Sequence, residues 1–550
     1  MTRNKIILNE TQQYLDSHSF TCLDDLLMIE DELIRLVNDK IEEHNVVAAK
    51  DEKYRKLSDL AGPQIALVVQ HVFNVKLISF TEESDRRDTV IGVYIDDMII
   101  QIVPDANGKQ GTYDTSRSVL ETLARYFNFT ISKKEMEEFF DTLNANAPMV
   151  KRCLDRDLIA VNNGIFNYAT KQLQPFSPDL VFVSKAQVSY NSNAQNVVIH
   201  NPDDGTDWDV ESWMKSLAPV HPEIAEVLWE VTGAIIRPNV AWSKSAWLYS
   251  EQGNNGKGTL CEMYRAILGN GSFTSIPLSD FGKDFALMPL LHCSAIIVDE
   301  NDVGTFIDKA GNLKSIITND VVQVNRKFET PVAFQFRGFM VQCLNEYPKV
   351  KDKSDSFFRR QLFVPMEACF TGSERKYIKT DYLHRQEVLE YILKRVLHMN
   401  YYTLSEPECC KMALQEFKEN NSPVITFWEE MRDQFTWSLL PFTFLWDLYQ
   451  AWFANAKPNG VIGSSRDFSN DLIRVIQNDE DWYCNDKSKQ ITANKSNMGM
   501  PEPLIYEYGL GKWVNSSYKG TDIDKICMPN LKQRYSGIQR YSTKGGTEDE

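Results

Sequence analysis

The run Tyr249-Ser250-Glu251-Gln252-Gly253-Asn254-Asn255-Gly256-Lys257-Gly258-Thr259-Leu260 constrains this chain more than any other stretch. The apolar run before it, Ala246-Trp247-Leu248-Tyr249, reads as a strand. After it, Leu260, Met263, Tyr264, Ile267 and Leu268 fall on one face at helical spacing, and Gly269-Asn270-Gly271 ends that helix. A strand, a glycine-rich turn and a helix N-terminus together aim backbone N–H groups at an anion. Lys257 adds a point charge for the outer phosphates. The pattern is irregular, because Glu251 stands where a phosphate loop usually has Gly and Gly258 where it has Ser or Thr. A polar turn would also fit the string, so the downstream residues must decide.

Leu290 to Glu300 reads as an apolar strand ending in Asp299-Glu300. Buried parallel strands are continuously apolar and ligands collect at their C-terminal ends, so this is the expected second half of an ATP site. Asp299 would hold Mg²⁺ through its water shell, and Glu300 would orient or deprotonate the attacking water. Val321–Val324 and Val332–Phe336 then flank Asn325-Arg326-Lys327-Phe328-Glu329-Thr330, a β-hairpin with a basic, aromatic tip. Arg326 and Lys327 suit phosphates and Phe328 a base or sugar; a solvated turn is the alternative. Gly338–Asn345 reads as another buried strand, ending in an Asn345 that could reach the γ-phosphate or water. In Phe357–Val364, paired arginines precede an apolar strand; Arg359 or Arg360 could serve a neighbouring subunit's nucleotide or form a structural salt bridge.

The rest of the chain frames this core. Asp24 to His71 reads as largely helical, with Asp24 and Asp25 suited to the N-cap. Val90–Ile95 and Met98–Val103 read as a hairpin turned by Asp96-Asp97; a metal site at that acidic pair is the costlier reading. Asn163-Gly164 is a turn between apolar runs, and Trp208 to Ile236 is helical again. Beyond Ala413 come helices, a Pro458-Asn459-Gly460 turn and a further helix near Arg466–Gln477, compatible with a winged-helix module. The tail is locally basic, with Lys512, Lys519, Lys525, Lys532, Arg534, Arg540 and Lys544 among Trp513, Tyr518, Tyr535 and Tyr541. That suits either nucleic-acid contact or a solvated face.

A net charge of −17 excludes wholesale polyanion binding, so any nucleic acid must meet local basic patches or a channel formed on assembly. The ten cysteines include no CxxC pair, which favours reduced thiols and no zinc site. With no signal-peptide pattern at the start and no apolar run of membrane-spanning length, a cytoplasmic protein with no membrane partner is expected.

In this order the motifs resemble the superfamily 3 DNA helicases, and within them the phage/plasmid and poxvirus-type primase-helicase family, which includes self-loading helicases of staphylococcal cassette elements. The resemblance runs from DLIAVNNGIFNYATKQLQPFSPD through Gly253-Asn254-Asn255-Gly256-Lys257, Asp299-Glu300, LKSIITNDVVQVNRKF and Asn345-Glu346-Tyr347-Pro348 to FFRRQLFVP. It implies an α/β, multidomain protein. Residues 1–190 would be an N-terminal α+β region that binds DNA or a partner, and 191–240 a helical collar. Residues 241–400 would be an AAA+-like P-loop ATPase core, and 401–550 a helical linker with a C-terminal winged-helix-like domain.

The implied activity is ATP-dependent unwinding by a homo-hexamer that replicates a mobile element, phage or plasmid. A single DNA strand would lie in the central channel, with duplex at the C-terminal domain as a further partner. Gly253, Asn254, Asn255, Gly256, Lys257, Gly258 and Thr259 would bind ATP, and Asp299 and Thr259 would serve Mg²⁺. Glu300, Asn345 and a trans-acting Arg360 would be catalytic, and Arg326, Lys327 and Phe328 would grip DNA. Gly258 departs from the pattern by removing the hydroxyl that usually touches Mg²⁺, so Thr259 or water must substitute. No primase signature precedes Val150. The rival readings are an initiator whose ATPase controls only assembly, a nucleotide kinase suggested by Gly-Lys-Gly-Thr, and a primase-helicase.

Overall fold

The computed structural model describes residues 2–82, 85–327, 330–456 and 462–541. The chain divides into two compact units, Met1–Leu414 and Gln415–Glu550. No helix among the described residues is long and apolar enough to cross a membrane.

The first unit opens with helices Arg3–Ser17, Ile29–Val47 and Gly62–Val72. Ile29, Leu33, Val37 and Ile41 recur at helical spacing and are fully buried, which is why the second of these forms as the sequence suggests. Asp25 does not cap it. Its carboxylate turns back to accept the N–H groups of Thr21 and Cys22 and holds the short 3-10 turn Leu23–Leu26. Beside these helices lies a four-stranded sheet in the order Tyr113–Asp114, Thr89–Tyr94, Val75–Ser79, Met149–Lys151.

Here the expected hairpin at Asp96-Asp97 fails. The strand ends at Tyr94, and Asp97–Ile102 is a helix. The Asp96 carboxylate accepts the Ile99 N–H at 3.0 Å, an N-cap bond that turns the apolar run into a helix. Thr89–Tyr94 pairs backward with Val75–Ser79.

Leu158–Val161 and Gly164–Asn167 do form a hairpin, with Val161 opposite Gly164, so the turn is Asn162-Asn163, one residue earlier than read. Helices Val210–Ser216 and Glu223–Ile236 follow. The latter ends at Arg237, whose buried guanidinium lies 3.5 Å from the centre of the Tyr168 ring and donates to the Tyr401 carbonyl at 2.7 Å.

The centre of the unit is a five-stranded sheet, parallel throughout, in the spatial order Phe273–Thr274, Ala295–Val298, Phe339–Leu344, Ser245–Tyr249, Gln361–Pro365. Ala295–Val298 and Phe339–Leu344 are buried at every position, as strands covered on both faces must be. The first is shorter than the sequence suggests, because Met288–Leu291, with Pro289 near its start, forms a 3-10 turn instead. Helix Lys257–Leu268 lays Leu260, Met263, Tyr264, Ile267 and Leu268 into the core and stops at Gly269, whose φ is +70°. Val321–Val324 and Val332–Gln335 pair antiparallel as a separate hairpin.

The second unit is built around a three-stranded antiparallel sheet, Leu439–Pro441, Gly537–Arg540 and Trp482–Tyr483, with helices Pro423–Met431, Phe442–Ala456 and Ser465–Val475. Its core gathers Trp428, Trp437, Phe444, Trp452, Trp482 and Trp513. Trp513 and Tyr535, two aromatics of the basic tail, are buried there, and Lys512 pairs with Asp447 at 3.0 Å. Arg540 lies 4.6 Å over the Trp482 ring. Part of the tail's aromatic and basic character therefore serves packing. Pro458-Asn459-Gly460 and Lys544 lie outside the described residues.

Candidate nucleotide-binding site

Because the five strands run parallel, their C-terminal ends share one edge, and the candidate residues leave from it. Tyr249 stands opposite both Leu344 and Pro365, and the Ser250 N–H donates to the Leu344 carbonyl at 3.1 Å. The glycine-rich loop therefore starts beside Asn345, which is exposed. Val298 stands opposite Gln342, so Asp299 and Glu300 emerge from the same edge, both exposed.

The loop's sequence is explained by its backbone. Asn254 has φ +56° and Gly256 φ +86°, both left-handed, and Gly256 caps helix Lys257–Leu268. A Cβ on Gly256 would sit 2.5 Å from Leu217 Cδ2, so conformation and space both require glycine there. Asn254 Nδ2 donates to Glu374 at 3.0 Å, and its carbonyl accepts the Phe370 N–H at 2.8 Å. Asn255 is buried; its Nδ2 donates to the Gln252 carbonyl at 2.5 Å and its Oδ1 accepts the Lys257 N–H at 3.4 Å. The irregular Glu251 accepts the Tyr249 hydroxyl at 2.9 Å. Lys257 is buried with Nζ 3.1 Å from the Ser250 carbonyl, and burial pushes its ammonium below the usual lysine value. A buried cation inside a curl of backbone is an arrangement that could hold an anion.

The acidic edge is held from two sides. Arg265, on the loop helix, grips Asp299 at two points, 3.2 and 3.1 Å, and this pairing holds the Asp299 carboxyl below its ordinary range. Behind it, the buried Asn301 donates to Gln342 Oε1 at 2.9 Å and to the Cys343 carbonyl at 3.1 Å, which ties the acidic turn to the neighbouring strand. Asp299 and Thr259 are the residues here that could serve a divalent cation. Gly258 has its own neighbour, since a Cβ there would lie 3.7 Å from Lys379 Nζ. Lys379 also acts electrostatically on Asp299, so a second lysine stands over the first turn of the helix.

Next to the loop is a cavity of about 790 Å³ walled by Asn254, Gly256 and Thr259 on one side. Trp208, Trp213, Phe370 and Ile378 give it an aromatic and apolar wall, and charged groups including Asp207, Asp209, Glu374, Arg375 and Lys379 also line it. Sequence reasoning missed Arg265, Asn301, Lys379 and this aromatic wall. None carries a motif: Arg265, Lys379 and the aromatic wall come from other parts of the chain, and Asn301, next to the acidic pair, shows its role only through its bonds to the neighbouring strand.

The remaining candidates lie apart from the loop. Arg360 Nη1 bonds the Ser356 carbonyl and lies 3.1 Å from the Ser356 hydroxyl, whereas the Arg359 side chain is exposed. At the hairpin tip Lys327 is exposed, and Arg326 Nε donates to the Thr330 carbonyl at 3.0 Å. Phe328 lies outside the described residues.

Three family models match the chain in order. Residues 80–222 match "D5 N terminal like", residues 248–360 a family of unknown function (DUF5906), and residues 419–509 "Poxvirus D5 protein-like". The unknown-function match runs from the end of the loop strand to Arg360. Among solved structures, "The A form apo structure of NrS-1 C terminal region-CTR" is similar at 12% identity, covering 81% of this chain and 89% of that one with a TM-score of 0.39. A second A form apo structure of that region gives 12% identity, 82% and 92% coverage and a TM-score of 0.40. Likeness at that level carries no weight for the fold or the site. No curated protein matches. D5-type models match on both sides of the phosphate-loop segment, which supports the poxvirus D5-like family that the motif order resembles.

Proposed function

We propose that this protein is an ATP-dependent replicative DNA helicase with an AAA+-like, superfamily 3-type core. The observation that carries the reading is the position of the loop strand. Numbered along the chain, the parallel sheet runs 2-3-4-1-5, with the glycine-rich loop leaving strand 1 between the strands that end at Leu344 and Pro365. That order brings Lys257, Asp299 and Asn345 to one edge, where a triphosphate and its metal need them. In this reading Gly253 to Thr259 cradle the phosphates and the 790 Å³ cavity takes the nucleoside against Trp208 and Phe370. Asp299 and Thr259 serve Mg²⁺, Glu300 prepares the water, and Asn345 senses the γ-phosphate. Arg265 is then the group Asp299 exchanges for the hydrated metal.

ATP sites at the interfaces of a homo-hexamer fit the placement of the paired arginines. The exposed Arg359 is the better placed of the two to reach a neighbour, because Arg360 is engaged with Ser356 of its own chain. The Arg326-Lys327 hairpins would track a DNA strand in the channel. The tryptophan-rich second unit, with two consecutive helices and a three-stranded sheet, would act as a winged-helix-like DNA-binding module.

The test is ATP-dependent strand displacement on forks with 3′ or 5′ tails, with Lys257→Ala as control. The reading requires displacement that the control lacks. ATP-dependent DNA binding without displacement would make the protein an initiator, and templated primer synthesis would add a primase activity.

A further inference from the structure

His221, Glu223 and Cys409 bring an imidazole, a carboxylate and a thiol to one spot, with their donor atoms all within 4.8 Å of one another. His221 Nδ1 is 3.4 Å from Glu223 Oε1, and Cys409 Sγ is 3.7 Å from the same oxygen. A tetrahedral ion with bonds of about 2.0–2.3 Å spaces its ligands about 3.3–3.8 Å apart. Both separations fall in that window.

The spot is assembled by the tertiary fold. His221 stands just ahead of helix Glu223–Ile236 and Glu223 is its first residue, while Cys409 lies in the first turn of helix Glu408–Asn421. Glu223 and Cys409 are 186 residues apart in the chain. A second observation concerns the far side of the imidazole, where His221 Nε2 faces Glu367 Oε1 at 3.8 Å. A ligating histidine commonly turns its other ring nitrogen to a carboxylate, which sets the tautomer and the ring orientation. Burial is graded across the group: Cys409 is buried, His221 half-buried and Glu223 exposed. One side is thus open to a water as fourth ligand.

A thiol-to-carboxylate hydrogen bond and an exposed His–Glu pair would explain the two separations one at a time. They do not explain why a soft, a borderline and a hard donor meet around one point with a carboxylate behind the imidazole. That set suits zinc, which accepts S, N and O ligands together.

We propose that His221, Glu223 and Cys409 bind a zinc-class divalent cation, with Glu367 as the residue that positions His221. Cys409 enters as the thiolate and releases its proton on binding. The ion then ties the segment around Cys409 to the start of helix Glu223–Ile236 within the first unit. Nothing in this inference depends on the nucleotide reading.

The experiment uses the full chain, reduced and stripped of metal, titrated with Co²⁺ as a spectroscopic substitute. One equivalent is expected to give the visible bands of tetrahedral cobalt and a near-ultraviolet thiolate charge-transfer band, both bleached by Zn²⁺. Cys409→Ser should lose the charge-transfer band. Glu367→Gln should keep it while affinity falls about 10–100-fold. Glu223→Gln changes an exposed side chain, so it should fold and show weakened binding even if Cys409→Ser does not fold. Absence of a stoichiometric thiolate band in the unmodified protein would overturn the proposal. So would unchanged bands and affinity in Cys409→Ser and Glu223→Gln, since another cysteine would then hold the cobalt.

Discussion

Arg265 and Asp299 meet as a two-point ion pair, with Nη1 3.2 Å from Oδ2 and Nη2 3.1 Å from Oδ1. One residue lies on the helix that follows the glycine-rich loop and the other at the end of a parallel strand, so the pair links the two halves of the candidate site. The pairing lowers the Asp299 pKa from an ordinary value of 3.8. A lowered folded-state pKa contributes stability that is present above the unfolded value and lost as pH falls through the folded one. Arg265→Met should therefore unfold at lower urea than the unmodified protein at pH 7, and the gap should close on acidification below the ordinary carboxylate range. A gap that ignores pH would assign the effect to packing of the arginine stem.

Lys257 is the buried cation of the loop. Lys257→Ala should lower ATP turnover by about 10²–10³-fold, the usual cost of removing one preorganised charge-stabilising donor. The measurement is steady-state phosphate release with and without single-stranded DNA. Turnover within a factor of two or so of the unmodified protein would remove this loop from the chemistry.

Gly256 and Gly253 make a paired test of the loop's geometry. Gly256 has φ +86° and no room for a Cβ beside Leu217, whereas a Cβ on Gly253 would meet no atom within 4 Å among the described residues. Gly256→Ala should lower stability by about 1–3 kcal/mol, the cost of a strained backbone position, and Gly253→Ala should leave it nearly unchanged. Thermal or urea unfolding of the two variants reads this directly.

The paired arginines should separate in the same way. Arg359 is exposed and Arg360 is bonded to Ser356. Arg359→Ala is expected to lower DNA-stimulated turnover by about 10³-fold or more, as loss of a trans-acting arginine does. Mixing Arg359→Ala with Lys257→Ala subunits should restore part of it, because each supplies what the other lacks at one kind of interface. If instead Arg360→Ala is the inactive variant, the role returns to Arg360.

At the hairpin tip, Lys327→Ala should keep basal ATP turnover and lose strand displacement. Retained displacement would show that the tip does not grip the strand.

The sequence by itself determined what depends on neighbours close in the chain. The strand Ser245–Tyr249, the helix Lys257–Leu268 with its buried face and the paired strands Val321–Val324 and Val332–Gln335 follow from periodicity and turn residues, and the structure holds all of them. The acidic strand end at Asp299 was legible for the same reason, because an apolar run stops at a charged pair. Asp96-Asp97 shows the limit of such reading. A two-residue turn and a helix cap use the same residue types, and the Asp96–Ile99 bond decided between them. What only the tertiary structure decided are the meetings of side chains remote in sequence: Arg265 on Asp299, Lys379 over Gly258, the tryptophan-lined cavity, and Cys409 beside His221 and Glu223. Local patterns encode the period of an element and the face it buries. Which polar groups on the remaining faces come within a few ångströms is set by how strands order in the sheet and how helices pack on it, and that information is spread over the whole chain.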